Sequence, residues 1–371
     1  MASIAYFISD HGLGHATRSV AIIRALLECD LGVSIAVYTS KPLPFIRQSL
    51  SLNEDANRIT FHNLLNDEGY CQAPNGKISY GETAERIHSW INSWDTQYLI
   101  GTYKKLRPQD LGLIISDIAP QPFLLAKKLN IIGVAISNFT WVDIYQHPLF
   151  NGRNLKALWN AYRQASLGLL LPFNLENTVF PTIFETSMVC RSPTRTSAEM
   201  RELLRVESTD QVIYAGTGMS MRNPFREDWL EDSDGIFILG GKTTCNGHNI
   251  RLIPSSDTEG QDYIACSDLA LIKVGYGSVT EAIRGKVPIL GVDFAGTPES
   301  IQMAQQIETL GIGRCLNREE YLQGKWRALI PEVLDLKQNY RYLSPRYQRI
   351  GENEVADVLL NVLEETESTG L

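Results

Sequence analysis

Short apolar runs alternate along the first half of the chain with stretches in which apolar residues recur at helical spacing. The short runs predict buried β-strands at residues 4–8, 33–38, 113–116, 131–136 and 167–171. The stretches between some of them predict helices at 16–29, 81–106 and 122–129. Strands that alternate with helices are typical of a parallel sheet covered by helices. We therefore predict an α/β domain in this half.

The alternation breaks once, at the polar stretch 191–195, directly after residues 188–190, which resemble the end of a strand. The pattern of strand and glycine turn then starts again at 212–218. Further strands are predicted at 235–239, 269–274 and 287–292. The second half is therefore predicted to form another α/β domain.

A last amphipathic helix is predicted at 353–365, where Val355, Val358, Leu359 and Val362 share one face that must be buried. The prediction for the whole chain is an N-terminal domain, a C-terminal domain and a terminal segment whose helix packs back on the N-terminal domain. Their bounds are 1–192, 193–345 and 346–371. The ligand site of such a pair of domains is expected at the carboxyl ends of the strands.

Composition narrows the class of protein. The chain has 371 residues, 44% of them hydrophobic, and a formal net charge of -8, which argues against a nucleic-acid partner because such binding needs a basic surface. Six cysteines occur without a CxxC pair, so neither a zinc site nor a disulfide framework is indicated. No apolar run approaches the length of a membrane span or of a signal peptide. We expect a cytoplasmic α/β protein without a transmembrane segment.

The first candidate for chemistry is the stretch 10–18, which reads DHGLGHATR and joins a predicted strand to a predicted helix. Gly12 and Gly14 would let the backbone approach a ligand closely, and the start of the helix offers free N–H groups. His15 falls in the first helical turn, where the helix dipole disfavours the imidazolium form and leaves a neutral ring that can accept a proton. The alternative is an ordinary glycine turn whose histidine binds a neighbouring loop.

The second candidate is Asp117, which ends the predicted strand at 113–116. A carboxylate at this end of a parallel strand points into the crevice of an open sheet, where it could pair with His15. The alternative is that Asp117 caps the next helix.

The third candidate is the run 273–281, KVGYGSVTE, which again joins a strand to a helix through a glycine turn. The helix start suits a diphosphate, and Glu281 could reach a ribose diol. Ser278 and Glu281 also match a capping box, which needs no ligand. The turn at 216–218 is a weaker signal of the same kind. No metal site is indicated.

Taken together, these features resemble the inverting glycosyltransferases of the GT-B fold, in which two Rossmann-like domains face each other across a cleft. UDP-glycosyltransferases and the N-acetylglucosaminyltransferase of peptidoglycan synthesis share the glycine turn with His15, the position of Asp117 and the late glycine turn. The resemblance is strongest to the glycosyltransferase-like N-terminal region of L-arabinokinases. Counterparts of the runs 10–18, 116–120, 137–141, 273–282 and 324–326 occur there in the same order.

The resemblance implies transfer of a sugar from a nucleoside diphosphate donor, UDP or dTDP, to a hydroxyl group of a small-molecule or glycan acceptor. His15 would be the general base and Asp117 its partner. The reaction would need neither a metal nor a cofactor, since the nucleotide sugar is a co-substrate. A nucleotide-sugar hydrolase of the same fold and a non-catalytic nucleotide-sugar-binding module stay open as alternatives.

The resemblance also implies a donor site, chiefly in the C-terminal domain. Its predicted residues are Gly12, Gly14, Gly216, Thr217, Gly218, Gly275, Tyr276, Gly277, Ser278, Glu281, Glu299 and Gln302. At the last two positions the chain departs from the UDP-glycosyltransferases, which have Asp-Gln and, three residues later, Asn where this chain has Pro298-Glu299 and Gln302. The sugar therefore stays open.

Acceptors of this fold bind to the N-terminal domain, often against aromatic faces. Asn138, Phe139 and Trp141 follow the predicted strand at 131–136 and are the predicted acceptor contacts. Further aromatic residues could contribute as well, namely Tyr145 and, in the segment 64–94, Tyr70, Tyr80, Trp90 and Trp94. For Trp90, Trp94 and Tyr98, which are spaced by four, the alternative is the packed stripe of a helix.

Overall fold

A computed structural model describes most of the chain. The described residues are 3–30, 32–51, 56–73, 77–103, 106, 111–150, 152–176, 179–216, 229–230, 235–240, 245 and 247–369. They form two compact units. The first comprises Met1–Val189, Thr297–Glu299 and Arg349–Leu371, and the second comprises Cys190–Gly296 and Ser300–Gln348.

The first unit is built on a seven-stranded sheet in which every pair of neighbours is parallel. Its strands are β1 (Ser3–Ile8), β2 (Ser34–Thr39), β3 (Ile59–Asn63), β4 (Leu111–Asp117), β5 (Ile132–Ser137), β6 (Leu167–Leu170) and β7 (Ile183–Glu185). The order across the sheet is β3-β2-β1-β4-β5-β6-β7, so the direction of progression reverses between β1 and β4. The inner strands are continuous apolar runs because helices bury both faces of a parallel sheet.

Helices connect these strands. They are α1 (Gly14–Cys29), α2 (Leu43–Leu50), α3 (Tyr80–Asn92), α4 (Ile100–Tyr103), α5 (Gln121–Leu129), α6 (Trp141–Ile144) and α7 (Gly152–Tyr162). A 3-10 turn spans Ala56–Arg58. The single helix predicted at 81–106 is therefore wrong in one respect, because α3 passes into a π-helix at Trp94–Leu99 before α4 begins. Trp90, Trp94 and Tyr98 are all buried, as expected for a packed stripe.

The second unit repeats the same plan with six parallel strands in the order β10-β9-β8-β11-β12-β13. The strands are β8 (Val212–Gly216), β9 (Ile236–Gly240), β10 (Ile250–Leu252), β11 (Leu269–Lys273), β12 (Ile289–Asp293) and β13 (Gly313–Asn317). The described helices are α8 (Ser197–Leu203), α9 (Gly260–Ala265), α10 (Tyr276–Arg284), α11 (Pro298–Thr309), α12 (Arg318–Leu322), α13 (Trp326–Asp335) and α14 (Pro345–Gln348), with a 3-10 segment at Leu336–Tyr342. Here the order reverses between β8 and β11.

Two further stretches lie outside the sheets. The strand end predicted at 188–190 is wrong, because these residues are buried but join no strand. The last helix, α15 (Gly351–Thr369), packs against α1 and β4. Its residues Val355, Ala356, Leu359 and Leu363 are buried.

Candidate active site

His15 and Asp117 lie at the point where the strand order of the first sheet reverses. β1 and β4 are neighbours there, and Ile8 at the end of β1 pairs with Asp117 at the end of β4. After β1 the chain turns through Gly12, whose φ of +78° is a left-handed conformation that favours glycine. α1 then begins at Gly14, which places His15 in its first turn. Such a reversal point opens a crevice at the carboxyl ends of the strands.

The His15 ring is held by Asp117. Nδ1 of His15 lies 3.0 Å from Oδ1 of Asp117, and both side chains are buried. Asp117 does not cap the next helix, because α5 begins at Gln121 and its N-cap is Pro120. The carboxylate is instead directed at α1, as the sequence pattern predicts.

Arg18 shares this carboxylate, one helical turn after His15. Its Nε donates to Oδ2 of Asp117 at 2.7 Å, and one terminal nitrogen, Nη2, donates to Oδ1 at 2.6 Å. Ser19 Oγ also donates to Oδ2, at 3.1 Å. Arg18 stands within the predicted motif, but no role was predicted for it. Its spacing of three residues from His15 was the available signal, since such residues share one helix face.

The contacts of Nδ1 decide the tautomer of the His15 ring. Nδ1 also lies 3.0 Å from Nη2 of Arg18, which is a donor. Nη2 has two N–H groups, one of which is used by the closer Asp117 Oδ1, so its distance to Nδ1 does not decide the tautomer. The charged Oδ1 of Asp117 does, because it can accept a hydrogen bond from an Nδ1–H group but would repel a lone pair on Nδ1. We therefore assign the ring proton to Nδ1. Nε2 then carries the lone pair, and it makes no hydrogen bond to any described residue.

Opposing effects act on the ionisation of Asp117. Burial alone would raise the pKa of its carboxyl group, but the charge and hydrogen bonds of Arg18, helped by His15, outweigh burial and hold the pKa below its ordinary value. Asp117 is consequently a carboxylate at neutral pH. Its negative charge faces the protonated nitrogen of His15.

Asn138 and Phe139 contact the group formed by His15, Arg18 and Asp117. Oδ1 of Asn138 accepts from Nη1 of Arg18 at 2.6 Å, and its Nδ2 donates to Glu299 Oε1 at 2.8 Å. The Phe139 ring meets the His15 ring edge-on at a centroid distance of 5.6 Å. Both side chains are buried. In this arrangement they contact Arg18 and the His15 ring, and an acceptor contact through either of them stays a prediction.

Trp141 is fully buried in the hydrophobic cluster that includes Phe139, Tyr145 and Tyr162. Its Nε1 donates to Oδ2 of Asp67 at 3.0 Å, and its ring stacks on Tyr145 at 5.3 Å. The described geometry gives Trp141 the role of a core residue that fixes a buried carboxylate. Its predicted role as an acceptor contact is not supported by this burial.

Asp10 anchors the loop that carries the glycine turn. Its Oδ1 accepts from the backbone N–H groups of Ser40 and Lys41 at 2.8 and 2.7 Å, and Oδ2 accepts from that of Asn66 at 2.6 Å. The N–H of Asp10 itself donates to Asp67 Oδ1 at 2.8 Å. Burial raises the pKa of Asp10 to about 6, with the neighbouring Asp67 carboxyl adding to the rise. The ends of β1 and β2 and the loop after β3 are thus tied to one carboxylate.

The exposed side of this loop is aromatic. The ring of His11 lies 4.1 Å from that of Tyr70 and 5.4 Å from that of Trp141, and both His11 and Tyr70 are half-buried. Gly69 supports them with a φ of +64°, and a Cβ at this position would lie 2.1 Å from Nδ1 of His11. Tyr70 is among the aromatic residues predicted as possible acceptor contacts, but its pairing with His11 was not predicted.

In the second unit, α10 begins directly after β11 at the predicted glycine turn. Gly275 is its N-cap and has no side chain to bind the first N–H groups. A Cβ at Gly275 would meet no atom within 4 Å, so space lies open at this helix start. The capping box of Ser278 and Glu281 is wrong, because the helix starts too early for Ser278 to cap it.

Glu281 is buried and paired with Arg191 instead. Nε and one terminal nitrogen of Arg191 both lie 2.9 Å from Oε1 of Glu281. Oε2 accepts no hydrogen bond from any described residue. Burial raises the pKa of Glu281, although Arg191 counteracts the rise. Sequence reasoning missed Arg191, because it stands in a polar stretch that reads as a linker.

Further predicted donor residues lie at the end of β8, in α11 or outside the described residues. Gly216 ends β8 beside β11, and a Cβ there would lie 2.7 Å from the hydroxyl of Tyr214. Thr217 and Gly218 lie outside the described residues. Glu299 and Gln302 lie three positions apart in the first turns of α11, and both are half-buried.

Similarity to known proteins extends over almost the whole chain. No known family profile matches it. The curated L-arabinokinase of Arabidopsis thaliana is 25% identical over 342 residues, which are 91% of this chain and 32% of that protein. The chain therefore spans about a third of the length of the curated relative that it matches.

Solved structures are similar over their entire length. The spinosyn rhamnosyltransferase SpnG superposes with a TM-score of 0.67 at 13% identity, covering 99% of this chain and 100% of that chain. For UGT89C1 of Arabidopsis thaliana complexed with UDP, the TM-score is 0.66 at 13% identity, covering 98% and 100%. The calicheamicin glycosyltransferase CalG4 superposes with a TM-score of 0.65 at 13% identity, covering 98% of each chain. The chain has the GT-B fold.

Both sheets therefore correspond to the two Rossmann-like domains of the GT-B fold, as predicted. His15 and Asp117 lie at the reversal point of the first sheet, and Gly216 and Gly275 lie at that of the second. Among the described residues, no helix is long and apolar enough to cross a membrane.

Proposed function

We propose that the protein transfers a sugar from a nucleoside diphosphate donor to a hydroxyl group, with inversion at the anomeric carbon and His15 as general base. The observation that carries the proposal is the bond of 3.0 Å between His15 Nδ1 and Asp117 Oδ1 at the reversal point of a GT-B domain. This bond leaves Nε2 as the proton acceptor.

In the proposed reaction, Nε2 of His15 takes the proton of the acceptor hydroxyl as its oxygen attacks the anomeric carbon. The new bond forms on the face opposite to the diphosphate, whose bond to the sugar breaks and leaves the nucleoside diphosphate with the electron pair. Asp117 stays ionised and offsets the charge of the imidazolium that forms. No metal is required, because the charge of the leaving diphosphate is offset by backbone N–H groups at a helix start.

We place the donor chiefly in the C-terminal unit. The nine-residue helix α10 begins with a glycine N-cap beside open space, which suits a diphosphate. Oε2 of Glu281 is available to a ribose hydroxyl because Arg191 binds only Oε1. UGT89C1 has been solved with UDP and with UDP-L-rhamnose, which supports a uridine donor. Glu299 and Gln302 are proposed for the sugar, whose identity is left to a donor screen.

The acceptor is proposed to bind the N-terminal unit beside Nε2 of His15. UGT89C1 has also been solved with quercetin, a hydroxylated aromatic compound, which supports an aromatic contact surface. The half-exposed pair His11 and Tyr70 is better placed for such contact than the buried Trp141. A small hydroxylated ring is therefore the proposed acceptor class.

The proposal is tested with the full chain, starting from a thermal-shift screen of UDP, dTDP and GDP sugars and an acceptor screen with the best donor. His15→Ala should lower kcat about 10²- to 10⁴-fold, the usual contribution of a general base, and leave donor affinity unchanged. His88→Ala is the matched control, because His88 is exposed on α3 in the same unit. Product NMR should show the inverted anomer, and EDTA should not affect the rate.

Normal turnover by His15→Ala would refute the assignment of the base. Fast release of free sugar without an acceptor would identify a hydrolase, in which His15 activates water. Tight donor binding without any turnover would identify a binding module.

Glu281→Gln tests the donor site separately. The amide keeps the size of the side chain but removes the charge opposite Arg191, so UDP affinity measured by calorimetry should fall at least tenfold while any acceptor-side effect stays small. Unchanged UDP affinity would remove Glu281 from the donor site.

A further inference from the structure

Arg18 is a charged side chain with almost no exposed surface, 1%, in the centre of the first unit. A buried guanidinium is costly unless every N–H group is used and a counter-ion is close. Asp117 is the counter-ion, and Asn138 accepts a further N–H group of Arg18, which lies on the same helix face as His15.

We propose that Arg18 is a positioning residue that selects the reactive tautomer of His15. It keeps Asp117 ionised with Oδ1 facing Nδ1, so that the ring proton stays on Nδ1 and Nε2 stays free to accept. The inference rests on the proposed function only for its catalytic consequence. The tautomer itself is a property of the protein without substrate.

The geometry restricts Asp117 to one orientation. Nε and Nη2 of Arg18 bind the two carboxylate oxygens separately, at 2.7 and 2.6 Å, which is the two-pronged contact that fixes the plane of a carboxylate. Nη1 is anchored to Asn138 at 2.6 Å. Rotating the carboxylate away from His15 would break both bonds to the guanidinium at once.

The electrostatics act in the same direction. Burial raises the pKa of Asp117, and Arg18 is the largest effect that lowers it. Without the guanidinium, the pKa of this buried carboxyl would rise, which favours the neutral acid. Its O–H would then donate to Nδ1, and the ring would carry its own proton on Nε2. Such a ring cannot accept the proton of an acceptor hydroxyl.

The other groups around the pair do not replace Arg18. Tyr6 of β1 faces Asp117 as a neutral phenol, because burial raises its pKa well above the ordinary value. Ser19 supplies one hydroxyl donor to Oδ2. Asp67, in the loop after β3, interacts electrostatically with His15, but as an acidic group it cannot supply a positive charge. Glu299 contacts the group through Asn138. Among the described groups, the charge that keeps Asp117 ionised is that of Arg18.

The test is ¹⁵N NMR of histidine-labelled protein, which distinguishes a proton on Nδ1 from one on Nε2, with the His15 signal assigned by its absence in His15→Ala. The unaltered protein should show the Nδ1–H form at pH 7.5. Arg18→Met should show the Nε2–H form at that pH and return to Nδ1–H as the pH is raised and Asp117 ionises. Arg24→Met is the matched control, because Arg24 lies on the same helix but binds the Ser49 carbonyl.

With a donor and acceptor identified, Arg18→Met should lower kcat at least about 10²-fold at pH 7.5, with KM for the donor within about threefold, and recover part of kcat at higher pH. Arg18→Lys, which keeps the charge, should retain more activity than Arg18→Met. A purely structural role would lower Tm without changing the tautomer or the pH profile.

An Nε2–H ring in the unaltered protein would overturn the proposal directly, and so would an Nδ1–H ring in Arg18→Met at pH 7.5. If Met at this position prevents folding, Arg18→Gln, which lacks the charge but keeps a donor, carries the same expectation. A tautomer change in a protein that turns over no donor would support the inference and reject the proposed function.

Discussion

Asp10 offers a quantitative test of how the loop before α1 is held. Its carboxylate is buried against three backbone N–H groups and close to Asp67, and its pKa is raised from 3.8 to about 6. A group whose pKa is higher in the folded than in the unfolded protein stabilises the fold below its unfolded pKa, and this contribution is lost as the pH rises through the folded pKa. Stability should therefore fall between about pH 4 and pH 6 as Asp10 ionises.

The shift of about two units corresponds to about 3 kcal/mol over the full titration, of which about 2 kcal/mol falls between pH 4.5 and pH 7. Asp10→Asn removes this contribution, whereas Asp67, whose pKa is also raised by burial, stays in both proteins. The amide can still accept from Ser40 and Lys41, but its NH₂ would face the N–H of Asn66, which costs about 1–3 kcal/mol relative to the carboxylate. The variant should thus be less stable than the unaltered protein at pH 7, and by about 2 kcal/mol more at pH 4.5.

The assay is urea unfolding at several pH values between 4.5 and 7.5 for both proteins, read by tryptophan fluorescence. Asp357→Asn on the exposed side of α15 is the control and should leave the pH dependence unchanged. The opposite contribution of Asp117, whose pKa is lowered, disappears only at more acidic pH and cancels in the comparison. If Asp10→Asn and the unaltered protein lose stability in parallel from pH 4.5 to pH 7, the account of Asp10 is wrong.

Two further substitutions test the loop and the core beside His15. Gly69→Ala should lower the free energy of unfolding by about 1–3 kcal/mol, because the added Cβ meets the His11 ring at a left-handed backbone position, while Gly81→Ala, with no atom within 4 Å, should be neutral in the same thermal melts. Trp141→Phe should cost about 1–3 kcal/mol, because the buried Asp67 loses the indole N–H, and should leave the acceptor KM unchanged. A raised acceptor KM with unchanged Tm would restore Trp141 as an acceptor contact.

The strands that the sequence pattern predicts and those that it misses differ in position. β3, β7, β10 and β13 were not predicted, and they are the four edge strands of the two sheets. An edge strand has one neighbour and less cover, so it need not form a long apolar run. β7 and β10 are only three residues long, and all three residues of β7 are exposed, so neither gives a run that the pattern could predict. The inner strands are covered on both sides and read as continuous apolar runs.

The residues of the candidate site also differ in whether the sequence could predict them. His15 and Asp117 could be predicted because each follows a recognisable strand, and the carboxyl ends of parallel strands meet at one edge. Arg18 and Arg191 could not, because an arginine in a helix or a polar stretch is by default a solvated residue. Their burial depends on carboxylates 99 and 90 positions away in the chain, and such partners leave no local signal.

The return of α15 to the first unit affects how the protein can be made. A ribosome completes residues up to Val189 and then has to synthesise about 160 more before Arg349–Leu371 exists. At typical synthesis rates this interval is on the order of ten seconds. During that time the surfaces of α1 and β4 that α15 will cover face solvent. The second unit has all of its own strands before the first has its last helix, so the half that is translated first is the half that finishes folding last.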